Sequence, residues 1–220
     1  MTEDWKYERR RSRLIEELRE KGIADERVLA AIGRVQRQLF VEQAFLSQSY
    51  HDVALPIGLK QTISQPYTVA YQSETLAPKP GERILEIGTG SGYQAAILCE
   101  MGARVYSIER IRPLYEKTSA LLRQLGYTAN CRFSDGMAGW ETMAPFDGII
   151  VTAGALEVPD TLLKQLSLPE GMKPGGRLII PVGNRKQQTM TYIVRMGENE
   201  FDRVEMEACR FVPLLGNTVG

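Results

Sequence analysis

Histidine is nearly missing from this chain: His51 is the one imidazole among 220 residues. Cysteine occurs three times, at Cys99, Cys131 and Cys209, and tryptophan twice. One imidazole and no closely spaced cysteine pair exclude the usual zinc donor sets, so no metal is expected. The cysteines are odd in number and far apart, which argues against a disulfide framework and for a reducing cytoplasm. There is no charge excess, since 27 Lys+Arg balance 27 Asp+Glu. Bulk electrostatic binding of nucleic acid is therefore not expected, although a local basic patch stays open. No apolar run approaches the ~18 residues of a spanning helix. The charged start of the chain carries no signal-peptide core, so no membrane partner is expected.

What is present is an ordinary globular composition, 43% hydrophobic and 25% charged. A chain of this length can bury roughly 70% of its unfolded surface without cross-links. Leu14, Ile15 and Leu18 form a stripe predicting a helix over Asp4–Lys21, with Gly22 placed to end it. The neighbouring cluster Arg9, Arg10, Arg11 and Arg13 reads as its solvated face. Asp25 suits an N-cap, and Val28, Ile32, Val35 and Leu39 predict one helix face running to about Phe40. The segment Val53–Ala70 is neither clean helix nor clean strand, and its mix of small, polar and apolar residues marks a candidate binding loop. A short helix over Val69–Leu76 then leads into Pro78-Lys79-Pro80-Gly81. This suggests residues 1–77 as a helical and substrate-binding segment and 78–220 as the core.

From Gly81 onward strand and helix patterns alternate. Strands are predicted at Arg83–Ile87, Arg104–Ile108, Cys131–Phe133, Phe146–Val151 and Arg177–Val182, with helices at Tyr93–Met101, Pro113–Leu125 and Pro159–Leu166. Thr191–Met196 and Val204–Phe211 are expected as final strands around a turn. The rhythm implies an α/β doubly wound parallel sheet ending in an antiparallel element, behind an N-terminal helical extension.

The most specific local feature is Glu86-Ile87-Gly88-Thr89-Gly90-Ser91-Gly92, where a strand should give way to a helix. Glycines there permit a tight turn and close approach of a ligand to the backbone. The dinucleotide fingerprint would require a third glycine at position 93, which is Tyr93. The E-x-G-x-G-x-G form instead resembles the first motif of S-adenosylmethionine-dependent methyltransferases; a ligand-free turn and a nicotinamide cofactor are the alternatives. Glu109, at the end of the second strand, suits a ribose diol in either cofactor. Asp135-Gly136, after the third strand, places a carboxylate where an adenine amino group could meet it, although Asp-Gly is also a common turn. The segment after the fourth strand, Val151-Thr152-Ala153-Gly154, lacks the Asn/Asp-Pro-Pro-aromatic run of base N-methylation and the acidic ligands of metal-dependent O-methylation. No cysteine has a proline neighbour, which excludes cytosine C5 chemistry. A substrate that is already a nucleophile, such as a carboxylate, remains.

The run Leu55-Pro56-Ile57-Gly58-Leu59-Lys60-Gln61-Thr62-Ile63-Ser64-Gln65-Pro66-Tyr67, with Glu109-Arg110-Ile111, Ala144-Pro145-Phe146-Asp147, Pro181-Val182-Gly183 and Arg210-Phe211-Val212-Pro213-Leu214, resembles the protein-L-isoaspartate (D-aspartate) O-methyltransferases. The resemblance extends from about Ile23 to Leu214. It implies a Rossmann-like methyltransferase fold, S-adenosyl-L-methionine as cofactor, and damaged proteins or peptides bearing isoaspartyl residues as partners. It further implies Ser64 as the catalytic residue, orienting the carboxylate. Thr62, Ile63, Glu86, Gly88, Thr89, Gly90, Ser91, Gly92, Glu109, Arg110, Asp135 and Gly136 fall to the cofactor; Gln65, Val212 and Leu214 join Ser64 around the substrate. A monomer is expected. An ordinary aspartyl carboxyl as acceptor, or a non-catalytic cofactor-binding protein, are the competing readings. The match departs from the family pattern at Lys60, where glycine is usual, at Gln36 before Arg37, at Ser134, and in Gly154-Ala155-Leu156. Lys60 sets a long cation beside the active loop, where it could alter access or favour acidic peptides. His51 reads as a solvated loop residue and Trp140 as packing.

Overall fold

The computed structural model describes residues 4–219. Helix α1 spans Asp4–Glu20 and buries Leu14 and Leu18, and Gly22 ends it at φ +98°. Helix α2 spans Glu26–Arg34, capped by the Asp25 carboxylate, which accepts from the Arg27 amide at 2.8 Å. It stops earlier than the apolar stripe predicts. Val35 is extended and a 3₁₀ turn follows over Arg37–Phe40, leaving Leu39 exposed while Val28, Ile32 and Val35 are buried. Breaking the helix here turns Arg37, a residue no apolar stripe would select, fully into the interior.

The ambiguous stretch after Val53 forms a small hairpin, β1 (Leu55–Pro56) antiparallel to β2 (Thr62–Ile63), followed by helix α3 (Pro66–Leu76). Proline sits at the first turn of α3, where its missing N–H costs nothing, so the helix starts three residues before the predicted Val69. In the hairpin turn Gly58, Leu59 and Lys60 are consecutive left-handed residues, at φ +83°, +51° and +58°. That conformation costs a residue with a side chain about 1–2 kcal/mol.

The core is a seven-stranded sheet in the order β5-β4-β3-β6-β7-β8-β9. Strands β3 (Arg83–Ile87), β4 (Arg104–Glu109), β5 (Asn130–Phe133), β6 (Gly148–Val151) and β7 (Arg177–Gly183) are parallel. Strands β8 (Gln188–Arg195) and β9 (Phe201–Cys209) each add antiparallel to the strand before, so β8 alone reverses direction and β9 runs the same way as β3–β7. The fold is a doubly wound, Rossmann-like α/β sheet, as the alternation of strands and helices predicts. Side chains alternate along the strands. Ile84, Ile150 and Ile179 pack with α1–α3, α4 (Tyr93–Glu100) and α5 (Arg112–Gln124), whereas Leu85, Ile149, Leu178 and Ile180 face the short α6 (Asp160–Lys164). The first apolar cluster runs unbroken from Leu14 through α3 into the sheet, past the Pro78–Gly81 segment. Phe146 bridges to Leu166 instead of joining β6, which trims that strand and α6 relative to expectation. Trp140 packs edge-on against Tyr106, with centroids 5.8 Å apart. Among the described residues no helix is long and apolar enough to cross a membrane.

Candidate active site

The strand order reverses at β3, whose neighbours are β4 and β6. In open α/β sheets a crevice forms at that point, beyond the carboxyl ends of the strands. The glycine loop lies there. Gly88 and Gly90 have φ of +97° and +52°. A Cβ on Gly88 would lie 2.6 Å from Thr152 Oγ1, a hydroxyl that donates to the Gly88 carbonyl at 2.7 Å. Thr152 thus ties the end of β6 to the loop, and only glycine fits against it. Glu109, buried at the end of β4, spans the other side: one carboxylate oxygen accepts from the Gly90 amide and the other from the Ile111 amide, each at 2.9 Å. Each oxygen keeps lone-pair capacity for a further donor.

Glu86 behaves differently. Its side chain is fully buried, accepts a short hydrogen bond from Ser107, and leaves Oε1 without a partner. Burial pushes its pKa up to about 8, so it is largely neutral near pH 7. It lies beneath the loop, where Ser107 also shares a hydrogen bond with Thr89 at 2.6 Å, and it does not line the cavity. Burial thus removes most of the negative charge that a glutamate before the glycine loop would otherwise carry at neutral pH.

The Ser64 segment forms another wall and is braced from the N-terminal extension. Arg37 Nη2 donates to the Ser64 carbonyl at 2.9 Å and to the Val53 carbonyl at 3.3 Å, and its guanidinium lies 4.8 Å from the Tyr93 ring centroid. Burial lowers the Arg37 pKa from its ordinary value, and Nε and Nη1 have no partner. Asp52, whose side chain is almost inaccessible, accepts from the Tyr67 amide at 2.7 Å and the Gln65 side-chain amide at 2.9 Å, and pairs with Lys21 at 2.6 Å. Gln65 is therefore turned to Asp52 and does not line the cavity.

The chain returns across the site after β9. Gln188 accepts from the Phe211 amide at 2.7 Å and donates to its carbonyl at 3.3 Å. The Gly154 amide donates to the Val212 carbonyl at 2.7 Å, and the Leu214 amide to the Gly154 carbonyl at 2.8 Å. Arg110 Nε donates to the Asn217 carbonyl at 2.9 Å, while Asp135 accepts from the Asn217 amide at 2.7 Å and the Met137 amide at 2.8 Å. The side chains of Arg110 and Asp135 thus clasp the tail.

Together these segments enclose a cavity of about 650 Å³, within the range of small-molecule sites. Its wall includes Thr62, Ile63, Ser64, Gly88, Thr89, Gly90, Ser91, Glu109, Arg110, Gly136, Val212 and Leu214. Glu86, Gly92, Gln65 and Asp135 stand outside that wall, in supporting positions. For Gly92 the reason is packing: a Cβ there would lie 2.7 Å from Thr118 Cγ2.

The family described as protein-L-isoaspartate(D-aspartate) O-methyltransferase matches residues 9–219. This chain belongs to that family. A protein-L-isoaspartate O-methyltransferase of Salinibacter ruber is 54% identical over 223 aligned positions, covering 100% of this chain and 97% of the relative. A solved protein-L-isoaspartate O-methyltransferase superposes with a TM-score of 0.82 at 29% identity over 94% of this chain; the match spans 66% of that longer chain. A structure from Plasmodium falciparum, described as a putative protein-L-isoaspartate O-methyltransferase in complex with S-adenosyl-L-homocysteine, gives 0.77 at 25% identity, covering 93% of this chain and 97% of that one.

Within this methyltransferase the wall also includes residues outside the expected site. Gln94, at the start of α4, lines the cavity with Oε1 unpartnered, and Tyr93 lies beside it with an unpartnered hydroxyl. Arg185 and Arg210 reach the wall from beyond β7 and β9. The position of Tyr93-Gln94 directly after the glycine loop was a usable signal, as was that of Arg210 at the head of the Phe211–Leu214 stretch; Arg185 had none. His51 is exposed and outside the wall. Burial pushes the Cys99 and Cys131 thiols up to about 12, which disfavours a thiolate nucleophile at either.

Proposed function

We propose that this chain methylates the free carboxyl of L-isoaspartyl residues, and of D-aspartyl residues, in damaged proteins or peptides, with S-adenosyl-L-methionine as donor. The observation that carries this reading is that the Thr62-Ile63-Ser64 segment and the Gly88–Ser91 loop share one cavity. The donor's fit rests on Glu109, whose oxygens retain acceptor capacity toward a ribose diol, and on a glycine loop where a Cβ at Gly88 would clash. When bound, S-adenosylmethionine supplies an electrophilic methyl group on a sulfonium.

The protein's own task is then alignment. A carboxylate has an ordinary pKa near ~4 and is already an anion at neutral pH, so no general base is required. Ser64 donates its hydroxyl to that carboxylate and orients it; it is not a nucleophile. Val212 and Leu214 from the returning tail, with Ile63, Ile87 and Ile108, form apolar wall that excludes water from the reacting groups. Fixed orientation of this kind can contribute up to ~7–11 kcal/mol in favourable systems. Thr62 and Ile63 line the cavity beside Ser64, while Gln65 and Asp135 act as braces, consistent with their hydrogen bonds. The neighbouring backbone amide nitrogen then attacks the ester carbonyl, loses its proton and expels methanol to close a succinimide, and addition of water to that ring returns part of the material to normal aspartate. A monomer in a reducing cytoplasm that binds no nucleic acid completes the reading; three free cysteines support the compartment, and the zero formal net charge supports the lack of a nucleic-acid partner.

The test is methyl transfer from labelled S-adenosylmethionine to peptides differing only in isoaspartate against aspartate. Transfer to the isoaspartyl member alone, as alkali-labile methyl, is expected. Ser64→Ala should lower kcat/KM about 10–100-fold, the value of a hydrogen bond to a charged group. Transfer to both peptides alike would instead favour a general aspartyl acceptor.

A further inference from the structure

We propose that the mouth of the cavity selects isoaspartyl sites flanked by aspartate or glutamate. The inference rests on the carboxyl-methylation reading and specifies its substrate class. Lys60, Arg185 and Arg210 all line the cavity and are all exposed. They come from three separate segments: the β1–β2 turn, the β7–β8 turn and the stretch after β9. Their convergence is a product of the fold and not of a local basic run.

Among the described residues none of the three forms an ion pair or a side-chain hydrogen bond. Arg110, the fourth cation on the wall, is spent on the Asn217 and Gly216 carbonyls. The one carboxylate on the described wall, Glu109, is 4% exposed and already accepts two backbone N–H groups, so it does not neutralise the rim. The chain as a whole is formally neutral, so this positive field is local. Lys60 also occupies a left-handed position, φ +58°, that favours glycine; a long cationic side chain stands there against the backbone's preference. An isoaspartyl site brings its own carboxylate to the cavity, and acidic neighbours one or two residues away would meet these free cations at the rim.

Exposed pairs are individually weak and screened by salt. Two of them together should favour an acidic-flanked peptide about five-fold in kcat/KM at low ionic strength. The experiment compares isoaspartyl peptides with Glu, Gln or Lys flanks at about 20 mM and about 0.5 M salt, where screening lengths differ several-fold. The wild type, Lys60→Gly, and the triple variant Lys60→Gly/Arg185→Gln/Arg210→Gln are assayed side by side. The ranking Glu above Gln above Lys, carried by KM, shrinking in high salt and flattening in the triple variant, is expected. Equal kcat/KM on all three peptides, or a ranking that the triple variant retains, would overturn the proposal. An equal loss on every peptide would overturn it too, by assigning the cations to the reacting carboxylate. Absence of transfer to any isoaspartyl peptide, with S-adenosylhomocysteine still binding, would be a failure of the methylation reading itself.

Discussion

Arg37 donates to the carbonyl oxygen of Ser64 across 2.9 Å, although the two are 27 residues apart in sequence. A buried guanidinium with two unpartnered nitrogens is costly to keep. Its contacts hold the backbone of the residue expected to orient the substrate. Arg37→Met should therefore lower kcat/KM at least about 10-fold, as loss of a charge-assisted hydrogen bond would. The assay belongs well below the melting temperature. Activity retained alongside a lowered Tm would show that Arg37 serves packing alone.

Glu109→Gln replaces a carboxylate that accepts from two backbone amides with a group that must aim an NH₂ at one of them. The Kd for S-adenosylhomocysteine, measured by calorimetry, should rise about 10–100-fold. An unchanged Kd would remove Glu109 from the cofactor site.

Glu86 predicts a pH dependence of stability with a definite sign. Its folded pKa, near 8, lies above its unfolded value of 4.5, so the native state holds the extra proton between those limits. Its contribution to stability is thus fully present below about pH 4.5 and is lost as pH rises towards 8, at up to about 1.4 kcal/mol per pH unit. Glu86→Gln should gain stability relative to the wild type from pH 5.5 to 8, with no further relative gain above that. Parallel melting curves for the two proteins across this range would contradict the raised pKa.

Asp135 fastens the C-terminal tail through the Asn217 amide while capping the turn that starts at Gly136. Asp135→Ala should speed hydrogen exchange at Asn217 and Val219 and weaken cofactor binding. Exchange unchanged from the wild type would show that Arg110 and the Gly154 backbone contacts hold the tail without it.

The sequence by itself determined the alternation of strands and helices, the glycine loop with its acidic partner Glu109, and the Thr62–Ser64 segment. These signals are local. A period of two or about 3.6, a glycine at a strand end, or a proline at a helix start acts within a few residues and so is written in their order. The tertiary structure alone decided that α2 breaks at Val35 to send Arg37 under Ser64, and that Gln65 turns to Asp52. It also decided that Glu86 is buried into neutrality, and that Lys60, Arg185 and Arg210 meet at one rim. The reason is that burial, protonation and charge convergence depend on what packs against a side chain. Those neighbours lie tens of residues away along the chain, where no sequence period reaches.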